Sequence, residues 1–541
     1  KEIDKVNEDN KINEDNNEKN DDPNVINSPQ IKSVSGKQLS DPITQTYTNT
    51  WDGYSITLPA GLTVDSSLAP QVTKYYNDDI TVVASVEPVS SSTVDSSYFD
   101  TTLRKFIAQT DFQESNRTSF SYVGESDKVI KEGVFERFDT IQKRHVFRAH
   151  IGEMPEDYKA NYSYVYISKS VTRQFYGSRN LFYRFLIKHN DSYSSEYLEN
   201  LILNSFTYFT PTDGAVYSAD YANPVVPDYW NEETKAFYDN LRNSDTVKWG
   251  LFVPNPESSG INIEIPRYEA YGNTSFDFAV QYVHTERMRI NLPFVEKLSR
   301  QGKVLMMTLR WEWSYYSKGA GYCVALDVLR GKYDQSLKSF ALQVKAAGHP
   351  IIIRMDNEFN GDWMASCGMA LLCDPELYRE AWIRTYNIFR SVGVNNAIFM
   401  ANPQSDADWP GQKWNHFHNY LPPKEYMQIM GLTAYNMGNT ATHTKKSFQE
   451  LYDFCSARTS ELFANWPWII GEFGCVGDEQ GVNKTEWIEG MFNTLYSGRY
   501  PQLKGAIWFN TTDNNTDGTV YRDFRIFVPG TAADAFMTGV R

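Results

Sequence analysis

Eight short apolar runs, each emptying into a loop, recur along residues 247–510, and few folds can absorb that rhythm. They are Val247–Val253, Phe276–Val283, Val304–Trp313, Pro350–Asn357, Ala397–Gln404, Met427–Asn436, Pro467–Gly474 and Leu503–Asn510. Between most of them the apolar spacing turns helical, as in Leu337, Phe340, Ala341 and Val344. Strands alternating with helices predict parallel βαβ units, and eight parallel strands close on themselves. The expected fold class is α/β, a (β/α)8 TIM barrel over residues 246–541. Helix-border chemistry agrees at one place in particular: Asp374 can cap, Pro375 suits the first helical position, Glu376 complements the positive dipole end, and Gly393 stops the segment.

The chain has 541 residues, whereas single cores stop growing near roughly 250–300 residues. A smaller companion domain is therefore expected. From residue 46 the apolar positions alternate, with Tyr54, Ile56 and Leu58 on one face and the run Ile80-Thr81-Val82-Val83-Ala84 following. Helical spacing over Tyr98–Thr110 and again at Tyr197, Leu198, Leu201 and Ile202 completes an α+β domain over 46–212. Its opening Ser55-Ile56-Thr57-Leu58-Pro59 and closing Asn204-Ser205-Phe206 faintly resemble a PsbP/Mog1-like sandwich. An accessory role is expected, either as a spacer or as a carbohydrate-binding module, so that residues 213–541 alone would fold and act. Residues 213–245 read as a linker with one short helix around Glu232–Leu241.

Residues 1–45 read as a disordered tail: the first thirty hold nine acidic residues, four lysines and only five aliphatics, too few to offset the entropy of ordering. Such a tail suits a surface tether of a secreted or lipid-anchored protein and a plain solvated terminus equally. The chain starts at Lys1, which reads as a mature or trimmed form, and no apolar run reaches membrane-span length. A secreted or cell-surface monomer is expected.

A net charge of −15 argues against nucleic acid as a partner, because phosphate binding needs a basic footprint. A neutral ligand fits better, and the 15% aromatic content supplies flat amphipathic rings both for packing and for stacking on sugar faces. Five cysteines without CxxC spacing point to thiols rather than a disulfide framework, although Cys367 and Cys373 could pair within one loop.

Two of the apolar runs end in a glutamate: Ile351-Ile352-Ile353-Arg354-Met355-Asp356-Asn357-Glu358 and Trp468-Ile469-Ile470-Gly471-Glu472. On strands four and seven of a barrel these carboxyls face one another across the C-terminal mouth, where barrel sites lie. A separation of about 5–5.5 Å would suit glycosidic cleavage with retention, one carboxyl protonating the leaving oxygen and the other attacking the anomeric carbon.

Further ordered motifs carry a resemblance. Gly331-Lys332-Tyr333-Asp334, Glu358-Phe359-Asn360-Gly361-Asp362-Trp363, Leu377-Tyr378-Arg379-Glu380-Ala381-Trp382, Gly431-Leu432-Thr433-Ala434-Tyr435-Asn436, Ile470-Gly471-Glu472-Phe473-Gly474 and Ile507-Trp508-Phe509-Asn510 resemble glycoside hydrolase family 26 over residues 247–527. The resemblance implies Glu358 as acid/base, Glu472 as nucleophile, Tyr435 as the phenol positioning that nucleophile, and Trp508 as the platform beneath the sugar. It departs at Asn357, where the family usually has His. The Asn-Glu pair is similar to the wider clan of barrel glycosidases, in which the amide meets the sugar 2-hydroxyl, and this implies an equatorial 2-hydroxyl, as in glucose or xylose.

Trp311, Trp313, Trp363, Trp409 and Trp414 fall in loops after the strands, where stacking on a polysaccharide and ordinary packing are about even. Arg354 either supports the catalytic carboxyls or forms a structural ion pair. Asp513-Asn514-Asn515-Thr516-Asp517-Gly518 begins like a calcium loop but has Phe524 where the closing Glu belongs, so a turn is expected. His416 and His418 have no clustered third ligand. No metal and no cofactor is expected. The reading is an endo-acting retaining β-glycanase for β-1,4 or mixed β-1,3-1,4 glucan, with mannan and then xylan as the next substrates. The rival class is a non-catalytic polysaccharide-binding protein.

Overall fold

The structure is a computed structural model and describes residues 42–541 apart from 91–117, 129–137, 156, 174–176, 215–220, 222, 313–322, 362, 406–411, 456–460, 516, 527–529 and 541. The tail before residue 42 and the helix expected over Tyr98–Thr110 lie outside the described residues. Residues 43–541 form one compact unit.

Its first part is antiparallel sheet. Strands β1 (Thr44–Asn49), β2 (Tyr54–Pro59), β3 (Thr63–Asp65), β4 (Thr73–Tyr76), β5 (Ile80–Ser90), β6 (Thr118–Lys128), β7 (Phe138–Ile151), β8 (Asn161–Arg173), β9 (Gly177–His189) and β10 (Thr207–Tyr208) make a seven-stranded sheet in the order β3-β4-β5-β9-β8-β7-β6 and a three-stranded one, β1-β2-β10. The helix Ser195–Ser205, capped by the Ser194 side chain on the Tyr197 N–H, lays Leu198 and Ile202 against Ile56, Leu58, Val165 and Ile187.

Neighbouring residues of the same strands point the other way, as the period of two requires. Tyr162, Tyr164, Tyr166, Phe182 and Leu186 enter the core of the second part of the chain. The large sheet is thus buried on both faces, one of them against the second part of the chain.

That second part is a closed barrel of eight parallel strands in chain order: β11 (Lys248–Phe252), β12 (Phe278–His284), β13 (Val304–Arg310), β14 (Ile351–Met355), β15 (Ala397–Ala401), β16 (Ile429–Asn436), β17 (Trp468–Cys475) and β18 (Leu503–Phe509), with β18 pairing β11. All eight expected strands are present, trimmed by a few residues where pairing stops. The short hairpin β19 (Thr512–Asn514) and β20 (Val520–Asp523) follows β18, where a calcium-like turn was considered.

Within the stretch read as a linker, the helix Glu232–Arg242 is part of the barrel. Trp230, Tyr238 and Leu241 join the interior layer of Phe278, Val280, Val304, Met306, Ile352, Ile398 and Ile507, and the Tyr238 hydroxyl donates to the Gln428 carbonyl at 2.8 Å. They stop the N-terminal end of the barrel and leave the other end for chemistry.

Candidate active site

Parity along the strands decides which side chains reach the barrel interior. On β14, Ile351, Ile353 and Met355 pack outside the wall while Ile352 points in. Arg354 therefore points in as well. On β13 the inward set of Val304 and Met306 continues to Thr308 and Arg310, and on β12 that of Phe278 and Val280 continues to Tyr282.

Strand β17 breaks the pattern usefully. Ile469 points in and Ile470 out, so strict alternation would turn Glu472 outward. The pairing of β16 with β17 skips Gly471, Leu432 facing Ile470 and Thr433 facing Glu472. This one-residue bulge carries Glu472 to the interior. Only glycine fits the skipped position, because a Cβ there would lie 2.0 Å from Asn402 Oδ1 and 3.0 Å from Arg354 Nη1.

Three side chains converge on the buried Glu472 carboxyl. The Tyr435 hydroxyl donates to Oε1 at 3.0 Å, Asn357 Nδ2 donates to Oε2 at 3.0 Å, and Arg354 Nη1 lies 2.9 Å from Oε2. Arg354 is in turn held by Thr308 Oγ1 at 2.8 Å, the Gly471 carbonyl at 2.9 Å and the Tyr282 hydroxyl at 2.9 Å. All three groups on Glu472 are donors, an arrangement that a carboxylate satisfies. Burial, reinforced by the charges of Glu472 and Glu358, pushes the Tyr435 phenol well above its ordinary value, so it keeps the proton it donates. Burial and the Glu472 charge raise the Tyr282 phenol likewise.

Glu358 follows β14 in a left-handed backbone conformation, φ 59°, as does Asp356 at φ 39°. Such non-glycine residues cost energy and persist where their surroundings fix them. Here the Glu358 N–H donates to the Asn402 carbonyl at 2.7 Å, and Trp363 Nε1 donates to Glu358 Oε2 at 2.5 Å. Arg310 lies 5.1 Å from the centre of the Trp363 ring, and its Nε donates to Asn357 Oδ1 at 3.3 Å. Asp356 lies deeper, accepting from the Trp311 N–H, and burial pushes its carboxyl up to about 7 against the pull of that bond and of Arg310.

Of the residues singled out from sequence, Glu358, Glu472, Asn357, Arg354, Tyr435 and Trp363 come together here. Trp508 does not. It is fully buried outside the wall, donating to the Phe524 carbonyl at 2.8 Å and packed on Phe473, Trp487 and Phe536, because Ile507 takes the inward position on β18. The half-buried ring at the mouth is that of Phe509, stacked on Phe252 at 4.7 Å and edge-on to Tyr435 at 5.9 Å. Trp311 is also outside the wall and fully buried, bonded to Thr385 Oγ1 at 3.1 Å. Trp414 is buried beneath Arg184, 4.9 Å from its ring centre. Trp313 and Trp409 lie outside the described residues.

Sequence reasoning missed Tyr282, Thr308 and Arg310, which inward parity on β12 and β13 would have flagged. It also discounted Asp513, whose carboxyl is raised by burial and further by the Glu472 charge, with Arg522 opposing from 3.5 Å. Among the described residues no group of three or more His, Cys, Asp or Glu could hold a metal, and the five cysteines are buried outside any disulfide.

Residues 323–465, a span that takes in β14 to β16 with Glu358 and Tyr435, match glycosyl hydrolase family 26. The matched span covers the middle of the barrel. Endoglucanase H of Acetivibrio thermocellus is 28% identical over 223 residues, 40% of this chain and 23% of that protein, so the match spans under a quarter of that relative's length. Solved structures of the family are more distant. A Cellulomonas fimi endo-β-1,4-mannanase double mutant is 15% identical with a TM-score of 0.43, over 59% of this chain and 76% of its own. The family 26 domain of a Prevotella bryantii mannanase/glucanase is 11% identical with a TM-score of 0.42, over 59% and 96%. Among the described residues no helix is long and apolar enough to cross a membrane.

Proposed function

We propose that this family 26 barrel is an endo-acting, retaining β-glycanase with Glu472 as nucleophile and Glu358 as acid/base. The observation that carries the reading is the convergence of Tyr435, Asn357 and Arg354 on Glu472, each offering a hydrogen and none taking one. A carboxylate so held can attack an anomeric carbon. In the first step a Glu472 oxygen bonds that carbon, the glycosidic bond breaks, and the Glu358 proton passes to the departing oxygen. In the second, Glu358 takes a proton from water, whose oxygen bonds the same carbon and releases Glu472.

The substrate proposed is β-glucan, β-1,4 or mixed β-1,3-1,4 linked. An Asn amide carries two hydrogens. One of them in Asn357 meets Glu472, and in this reading the second donates to an equatorial 2-hydroxyl as positive charge grows at the neighbouring carbon. The Endoglucanase H likeness favours glucan, and mannan is the second reading. Secretion, with the acidic tail as a surface tether, suits a polymer that cannot enter a cell.

Proton NMR of the first product formed from soluble β-glucan tests the mechanism: the β-anomer should lead and then mutarotate. An α-anomer formed first would overturn the double displacement. Initial rates on matched soluble glucan, mannan and xylan should rank glucan first. A clear mannan preference would overturn the argument from Asn357 and leave the two glutamates standing.

A further inference from the structure

The loop that carries Glu358 into the mouth ends, fifteen residues later, in a second strained turn. Leu372 and Cys373 both take left-handed backbone angles, φ 56° and 53°, immediately before the helix Pro375–Ser391. Two consecutive non-glycine residues in this region do not hold such angles unaided. Among the described residues the grip on their carbonyls comes from outside the barrel. The Tyr164 hydroxyl, from the N-terminal sheet, donates to the Leu372 carbonyl at 2.7 Å, and Arg184 Nη2 donates to that of Cys373.

The next residue is gripped as well. Asp374, the helix cap, accepts from the Tyr162 hydroxyl at 2.8 Å and pairs with Lys188 at 3.1 Å. All four donors sit on the barrel-facing side of β8 and β9.

A continuous path of backbone hydrogen bonds joins this grip to the acid/base. The Cys373 N–H donates to the Gly368 carbonyl at 3.0 Å, and the Gly368 N–H donates to the Phe359 carbonyl at 3.1 Å, one residue beyond Glu358. There is no slack along it: a Cβ at Gly368 would lie 1.9 Å from the Tyr420 hydroxyl, and the Phe359 ring sits 4.6 Å from Tyr378 and 5.1 Å from Tyr420.

We infer that the N-terminal sheet is a working part of the active site, with Tyr164 and Arg184 as positioning residues that set Glu358 through the Leu372–Cys373 turn. The inference rests on the proposed acid/base role of Glu358. It differs from an accessory or sugar-binding role for this sheet, because it places the effect on proton transfer rather than on polymer capture.

Acid assistance matters most when the departing group is poor. The test therefore compares kcat/KM of the full chain on phenyl β-cellobioside and on 2,4-dinitrophenyl β-cellobioside. Tyr164→Phe and Arg184→Met should each lower the phenyl substrate at least tenfold and leave the dinitrophenyl substrate within about threefold. Arg184→Lys, which restores a cation, should recover part of the loss. Tyr164→Phe removes a single oxygen and keeps a result in hand should Arg184→Met not fold.

Equal losses on the two substrates, or no loss on either, would overturn the positioning role. Glu358→Ala measured alongside separates the two readings. If it shows the same leaving-group selectivity and the sheet variants do not, the positioning role fails alone. If it shows none, the acid/base assignment itself is wrong.

Discussion

Two buried clusters pair carboxyls with cations, and they differ in where their partners come from. At the barrel mouth one carboxyl, Glu472, is met by Arg354, Asn357 and Tyr435, all from β14, the segment after it, and β16. Between the sheet and the barrel, Asp374 and Glu376 are met by Lys188 and Lys74 from the sheet, by Tyr162, and by Arg379 at 2.9 Å from Glu376. Burial alone would raise Glu376, yet Lys188, Lys74 and Arg379 together hold it well below the carboxylate range.

Burial and ion pairing are thus common to both, and neither identifies a reacting group. The first cluster lies at the C-terminal ends of barrel strands, with donors behind the carboxylate from a single rigid wall, while the second ties two layers together. One is arranged for a charge that must change partner and the other for charges that must not.

Removing groups from each cluster tests this contrast. Glu472→Gln keeps shape and loses the nucleophile, so hydrolysis should fall by about 10⁴ or more in protein that still folds. Retention of a tenth of the rate in folded protein would make the two clusters equivalent. Arg354→Met leaves Glu472 buried without its cation and should lower kcat by about 10²–10³, together with a drop in stability seen in urea melts.

Lys188→Met is the mirror experiment. It removes the cation that Asp374 and Glu376 share, while Lys74, Arg379 and Tyr162 remain, and should cost about 2–3 kcal/mol of stability, with a smaller effect on rate. Because Glu376 is depressed on folding, its contribution is present above its ordinary value near 4.5 and is lost as pH falls. The deficit of Lys188→Met against wild type should therefore shrink in acid. Tyr435→Phe removes one donor of three and should slow hydrolysis by about 10–10²-fold.

Asp356→Asn should have the smallest effect on rate, and its effect on stability has the opposite pH sense. Asp356 is raised from 3.8 to about 7, so its contribution is full below its unfolded value and is lost as pH rises to 7. The Asn variant should gain on wild type by up to about 4 kcal/mol across that interval, measured by thermal melts at pH 4 and pH 7.

What could be read from sequence follows from what repeats in it. The eight strands were legible because fully buried strands are uninterrupted apolar strings, and the two glutamates because each ends one. The tryptophans were misplaced for a reason equally physical. Trp311 and Trp508 sit at strand ends, one residue out of step with Arg310 and Ile507, and a single step of parity moves a side chain from the mouth to the outer core. Composition cannot register that step, and bulges such as the one at Gly471 reset it. The sheet's second buried face was visible in Leu181-Phe182-Tyr183-Arg184-Phe185-Leu186-Ile187, a run too apolar for a strand with one wet side.

The stopper at the floor of the barrel also orders events in time. Trp230 and Tyr238 leave the ribosome before any barrel strand, and the Tyr238 hydroxyl meets its acceptor on Gln428 only 190 residues later. Domains are made from the N-terminus at roughly 5–20 residues per second. The aromatic face of that short helix therefore waits on the order of ten seconds or more for the staves that will enclose it, an interval in which a chaperone's cover would serve it.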